Sequence, residues 1–123
     1  MPINETRPVS VTLEADLLAP SFLPLLELAP GTIVLPNQSM LAVTGTPLPM
    51  EVALMLCKPG TVLGDPGDAV LTYSDPFNVT TDQPTVLEGT LPPLAQGGVL
   101  GLHVPVALLA TGVKVEGTLS IVR

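Results

Sequence analysis

From Val9 the chain alternates strictly: Val9, Val11, Leu13 and Ala15 are apolar, while Ser10, Thr12, Glu14 and Asp16 between them are polar. A period of two puts the two sets on opposite faces of a half-buried strand. The pattern returns near the other end, where Val113, Val115, Gly117, Leu119 and Ile121 alternate with Lys114, Glu116, Thr118 and Ser120. Residues 51–58 hardly alternate: Val52, Ala53, Leu54, Met55 and Leu56 follow one another, which predicts a strand covered on both faces. Residues 32–35, 39–44, 69–73, 77–81 and 85–91 read as further strands, and 98–109 as two short strands or one bent at Pro105.

The punctuation between them is turn chemistry. Lys58-Pro59-Gly60, Gly64-Asp65-Pro66-Gly67-Asp68 and Ser74-Asp75-Pro76 carry the residue types that tight turns demand. Residues 17–28 are rich in leucine but are divided by Pro20 and Pro24, with Pro30 beyond. This predicts a single helical turn from Ser21, or an irregular apolar loop packed on the core or on a neighbour. About eight short strands at turn-bounded spacing predict an all-β fold: a single small β-sandwich, jelly-roll-like, or barrel domain over residues 9–123. Residues 1–8, polar and with Pro2 and Pro8 near their ends, read as an extended N-terminal arm.

Composition turns attention to the surface. Of 123 residues, 46% are hydrophobic and only 12% charged, against about 25% charged in an ordinary soluble domain. So few charges cannot cover the outside, which predicts exposed aliphatic area that associates with something else. The net charge is −7, and the basic residues Arg7, Lys58, Lys114 and Arg123 form no run. Direct binding to nucleic acid, which needs clustered Lys or Arg, is therefore not expected. With no Trp and one Tyr, stacking platforms for sugars or single strands are poorly supplied. The lone Cys57 admits no internal disulfide and reads as a small buried hydrophobe. The opening MPINETRPVS has no apolar stretch of a secretory signal, so assembly in a cytosol is expected. The stretch between Glu88 and Lys114 lacks charge and is long enough for a membrane span. Pro92, Pro93, Pro105, Gly97, Gly98 and Gly101 break it, so buried strands are expected there and no membrane partner.

Candidate chemistry is sparse. His103 is the only histidine, no Gly-x-Ser-x-Gly elbow surrounds a serine, and one Cys with one His does not make a zinc site. Gly97, Gly98 and Gly101 precede no Lys-Ser/Thr, so they do not form a phosphate loop. The carboxylate pairs Asp65/Asp68 and Asp75/Asp82 lie in turns, where Asp bonds the local backbone. Asp65 and Asp68 with nearby carbonyls also leave open a calcium loop. These readings point to no enzyme, no catalytic residue and no cofactor, unless a carboxylate pair converges in a pocket.

The short arm MPINETRP, the Pro/Gly-punctuated APGTIVLPNQSMLAVTGTP and the terminal GVKVEGTLSIVR together resemble the small head-decoration, or cement, proteins of tailed bacteriophages. The resemblance covers the whole chain as a style and carries no diagnostic motif. It implies a structural virion protein, a β-rich homo-oligomer (trimer or dimer) assembled in the host cytoplasm. Such a protein sits on the outer capsid surface and bridges neighbouring copies of the major capsid protein, its partner, against internal DNA pressure. No catalytic residues come with the family. The expected contacts are Pro2, Ile3 and Arg7 in the arm, Val9, Val11 and Leu13 on the first strand, and Leu17, Leu18, Phe22 and Leu25 in the leucine-rich segment. The alternatives are a small β-sandwich binding module for carbohydrate or calcium, and another virion part such as a tail or fibre β-domain.

Overall fold

The computed structural model describes residues 3–13, 16, 21–45, 49–64, 66–80, 83–87, 97–105 and 112–123. Among these it has ten strands: β1 (Asn4–Thr12), β2 (Ser21–Leu28), β3 (Ile33–Val34), β4 (Met40–Thr44), β5 (Met50–Cys57), β6 (Val70–Tyr73), β7 (Phe77–Val79), β8 (Thr85–Val86), β9 (Gly98–Val104) and β10 (Lys114–Val122). Single 3₁₀ turns occupy Pro36–Gln38 and Gly67–Ala69. No helix among the described residues is long and apolar enough to cross a membrane.

All strand pairs are antiparallel, and eight strands nest: β1 pairs β10, β2 pairs β9, β4 pairs β8 and β5 pairs β6. The chain is thus one long hairpin, rolled so that successive pairs fall in alternate sheets. The first sheet runs β1-β10-β4-β8 and the second β2-β9-β5-β6. This is a sandwich with jelly-roll nesting, not a closed barrel. β3 and β7 are short additions, β3 on β10 and β7 on β5.

Both additions arise in the same way. β10 pairs β3 at Ile121 and Val122, then β4 from Thr118 back to Lys114. At the change of partner Ser120 N–H donates to the Ser39 hydroxyl at 2.9 Å, and that hydroxyl donates to the Leu35 carbonyl. β5 pairs β7 over Met50–Val52 and β6 from Met55 on. Here Leu54 N–H donates to the Ser74 hydroxyl at 3.1 Å, while Ser74 N–H donates to the Leu54 carbonyl. A buried serine in each sheet fills the ladder position that the strand change leaves open, as a buried backbone N–H requires.

The core lies between the sheets. Val9, Leu41, Val43, Val115, Leu119 and Ile121 come from the first sheet and meet Leu23, Val52, Leu54, Leu100, Leu102 and Val104 from the second. The alternation read in β1 and β10 is the alternation observed. β5 lacks it because its other face is also covered: Met55 and Cys57 join Phe22 and Val99 in a second cluster, with Ala69 and Val70 packed against it. The loop after β5 is pinned over this cluster by Phe22 and Gly64, which exchange both backbone hydrogen bonds. Gly101 makes room for it, since a Cβ there would come within 2.7 Å of the Phe22 ring and run into the Leu23 carbonyl.

Two expectations change. Residues 21–28 are strand β2, neither helical turn nor irregular loop. Pro24 is tolerated because β2 is an edge strand and the ladder bulges between Pro24 and Leu26. The arm expected over residues 1–8 is, from Asn4, the first half of β1, matched residue for residue with β10. Met1 and Pro2 lie outside the described residues. Ile3 and Arg123 exchange both backbone hydrogen bonds. Residues 5, 7 and 9 therefore point their amides at β10, and 4, 6 and 8 point theirs away. Pro8, which has no N–H, falls on the outward set and costs no ladder bond.

Candidate functional site

The outer face of the first sheet follows from this register. Val86 pairs Met40, Met40 pairs Thr118, and Thr118 pairs Pro8, giving a row across all four strands. Val86 is 49% exposed and Met40 42%. Leu41, the next residue in β4, is buried in the core, which fixes the outward sense of Met40. Ile33 and Val122 form a second apolar pair on this face. The Thr6–Ser120 pair separates the two, and on the other side of the Met40 row come Ala42, Glu116 and Ser10, then Thr44, Lys114 and Thr12. Lys114 and Glu116 are the only ionisable side chains on this face of these strands, and they pair with each other at 3.3 Å. The result is a hydroxyl- and methyl-covered sheet face with an internally compensated charge.

The edges are unlike the face. β1 and β2, the long edge strands, each carry a proline, and the opposite edges, β8 and β6, are only two and four residues long. Prolines and short edge strands hinder strand addition.

The predicted contact residues divide. Ile3 and Arg7 are exposed, and Val11 and Leu25 are half-buried against the core. Val9, Leu13 and Phe22 are buried within the chain itself, so they fill its interior and offer no surface. Pro2, Leu17 and Leu18 lie outside the described residues. Arg7 is engaged locally: Glu5 accepts from Arg7 Nε at 3.0 Å and from Arg123 at 2.5 Å. Arg7 first, and Arg123 after it, hold the Glu5 carboxyl below the usual carboxylate range. Sequence reasoning missed Met40, Val86 and Ile33. The out-in alternation of Met40 and Leu41 was a usable signal for the first, but a two-residue strand supplies none for Val86.

The outer face of the second sheet is in two parts. Its lower half is the Phe22–Met55–Cys57–Val99 cluster, where burial pushes the Cys57 thiol up to about 11. The upper half opens into a cleft of about 440 Å³. Ala53 lies on β5 directly opposite His103 of β9, and Glu51 is two residues before it on the same face. The Ser74 bridge holds the β6–β7 connection against β5, bringing Tyr73, Asp75 and Pro76 to the rim. The Tyr73 and His103 rings stand 6.0 Å apart and tilted by 43°. His103 Nδ1 is buried without a hydrogen-bond partner among the described residues.

Of the carboxylates singled out by sequence, Asp75 thus shares a cleft with Glu51, a partner its spacing did not suggest. Asp68 is exposed in the second 3₁₀ turn, and Asp65 and Asp82 lie outside the described residues. Among the described residues, His, Cys, Asp and Glu side chains form no group of three that could hold a metal ion.

Compared with known proteins, the chain matches no family model, no curated protein and no solved structure.

Proposed function

We propose that the chain is a structural virion protein, a capsid decoration protein that binds the outer surface of the major capsid shell and stabilises it. One observation carries the reading: the row Val86–Met40–Thr118–Pro8, with Ile33 and Val122 beside it, on an outer face whose two charges cancel. Such a face buries no net charge, gains about 25 cal/mol for each Å² of apolar area it covers, and offers its hydroxyls as hydrogen-bond partners to the surface it meets. Jelly-roll sandwiches occur in viral capsid proteins and also in lectins, so the fold alone does not choose between them. The apolar face favours assembly.

The contact differs from the one the sequence suggested. Residues 4–8 add a strand to the chain's own sheet, and prolines guard both long edges. The shell is therefore met by the face of the first sheet, and self-association into dimers or trimers continues the same apolar surface. The net charge of −7 suits a protein on the outside of a shell filled with nucleic acid.

Co-sedimentation with shells of the major capsid protein encoded in the same genome tests this. The wild-type chain is expected to pellet with shells at a fixed ratio and to raise their melting temperature. Met40→Glu with Val86→Glu, both at exposed positions, is expected to abolish pelleting while the chain stays folded. Absence of wild-type pelleting, or equal pelleting of the double variant, would overturn the proposal.

A further inference from the structure

We infer that the cleft on the second sheet is a binding site for an organic cation, an alkylammonium or alkylguanidinium group. It lies on the face opposite the proposed shell contact, so it is independent of that contact and can be filled at the same time.

Charge is the first argument. Glu51 and Asp75 enter the cleft from two different elements. The chain has only four basic residues, and none neutralises them. Arg7 and Arg123 are held on Glu5, and Lys114 on Glu116. Lys58 follows the far end of β5 from Glu51. Two carboxylates in one concavity with no resident cation attract one from solution.

Shape and surface chemistry are the second argument. The floor is Ala53, 6% exposed, whose methyl leaves space above the sheet, and Pro76 and Pro105 supply apolar flanks. The Tyr73 ring, 55% exposed, offers a face to a cation, with His103 beside it. A short aliphatic stem lying on Ala53 with its charged head toward Glu51 and Asp75 uses every one of these groups. An anion meets two like charges, and a neutral sugar finds one aromatic ring in place of a stacking pair. The same chemistry has two sources, a free amine or a Lys or Arg side chain presented by another polypeptide.

Amide and side-chain NMR shifts of the labelled protein test the site. The probes are n-butylammonium and n-butylguanidinium as free cations, and blocked Gly-Lys-Gly and Gly-Arg-Gly peptides as presented side chains. 1-Butanol and butyrate serve as neutral and anionic controls. Cations are expected to give saturable shifts at Ala53, Tyr73 and His103, while butanol and butyrate give none. Glu51→Gln with Asp75→Asn is expected to weaken binding about tenfold, the size expected when two exposed ion pairs are lost together. Tighter binding of the peptides than of the free cations assigns the presented side chain as the source, and equal binding assigns the free amine. Equal shifts from butanol, shifts that do not saturate, or a double variant that binds like wild type would overturn the inference. Because the butanol and butyrate comparison uses only the wild-type protein, it stands even if the variant does not fold.

Discussion

Replacing Ser74 by Ala removes one oxygen at the point where β5 changes partner. That oxygen accepts from Leu54 N–H at 3.1 Å and donates to the Asp75 carbonyl at 3.1 Å. Leu54 is fully buried in the core and Ser74 is 5% exposed, so water does not readily replace the lost partner. A buried N–H left without an acceptor costs about 1–3 kcal/mol, more than a hydrogen bond contributes on average. The cavity left by a hydroxyl is small and adds little. The expected loss is about 2 kcal/mol, or about 6–10 °C in melting temperature for a chain of this size. Urea unfolding followed by circular dichroism measures it, with an unchanged m-value showing that the native fold persists. Amide hydrogen exchange localises it: Leu54 should lose protection while Leu56, still opposite Thr72 of β6, keeps it. Ser39→Ala should repeat the effect in the other sheet, with the Ser120 amide as reporter. The two losses should add, because the serines share no partner. A loss under about 0.5 kcal/mol with Leu54 still protected would refute the view that these hydroxyls complete the ladders.

Cys57 should resist thiol reagents in the folded protein at pH 8, because it is fully buried and its thiol is pushed up to about 11 from 9.0. The folded state then keeps a proton that the unfolded chain releases. Stability is therefore unaffected below pH 9 and falls between pH 9 and 11, by about 2–3 kcal/mol in total. Comparison of the pH profile with that of Cys57→Ala isolates this loss, and superimposable profiles would remove the cause. Gly101→Ala should destabilise the chain by about 1–3 kcal/mol or more, since its Cβ meets both the Phe22 ring and the Leu23 carbonyl. Phe22→Leu in the same chain should recover only part of that loss, because the carbonyl clash remains; full recovery would show that the ring alone was the obstacle.

What could be read from the sequence depended on whether a strand's faces differ. β1 and β10 have one face in the core and one in water, so Val9 to Leu13 and Val113 to Ile121 announce themselves. β5 was legible by the opposite sign: Val52–Cys57 are buried throughout because the sandwich covers one side, and on the other Met55 and Cys57 lie in the cluster with Phe22 and Val99 while Ala53 forms the floor of the cleft. β2 was hidden by Pro24, whose cost to a strand disappears at an edge and a bulge, neither visible before pairing is known. Strands expected over 32–35 and 85–91 are present as β3 and β8, but two residues show no period, so the face each presents follows only from its pairing with β10 or β4. The outer face required the register: Met40, Val86, Thr118 and Pro8 form a row only after three pairings are fixed. The cleft was still less accessible, because His103 reaches Glu51 and Tyr73 only through the pairing of β5 with β9, a strand distant in the chain. Asp75 drew attention for its spacing to Asp82, which lies outside the described residues, while its place in a cleft with Glu51 depends on how the β6–β7 connection is held against β5.

The nested hairpin has a consequence for biosynthesis. β10 sits inside the first sheet and β9 inside the second, so residues 98–122 supply an inner strand to each layer. β1 and β2 leave the ribosome first, yet each can pair only with a segment that leaves last. Neither layer can close until residues 98–122 have been made, and the earlier, leucine-rich part of the chain must wait with its apolar side chains uncovered. Because these contacts span nearly the full length of the chain, the protein belongs among slow folders. While it is being made, a holding chaperone or a low synthesis temperature should raise its yield more than any substitution on its finished surface.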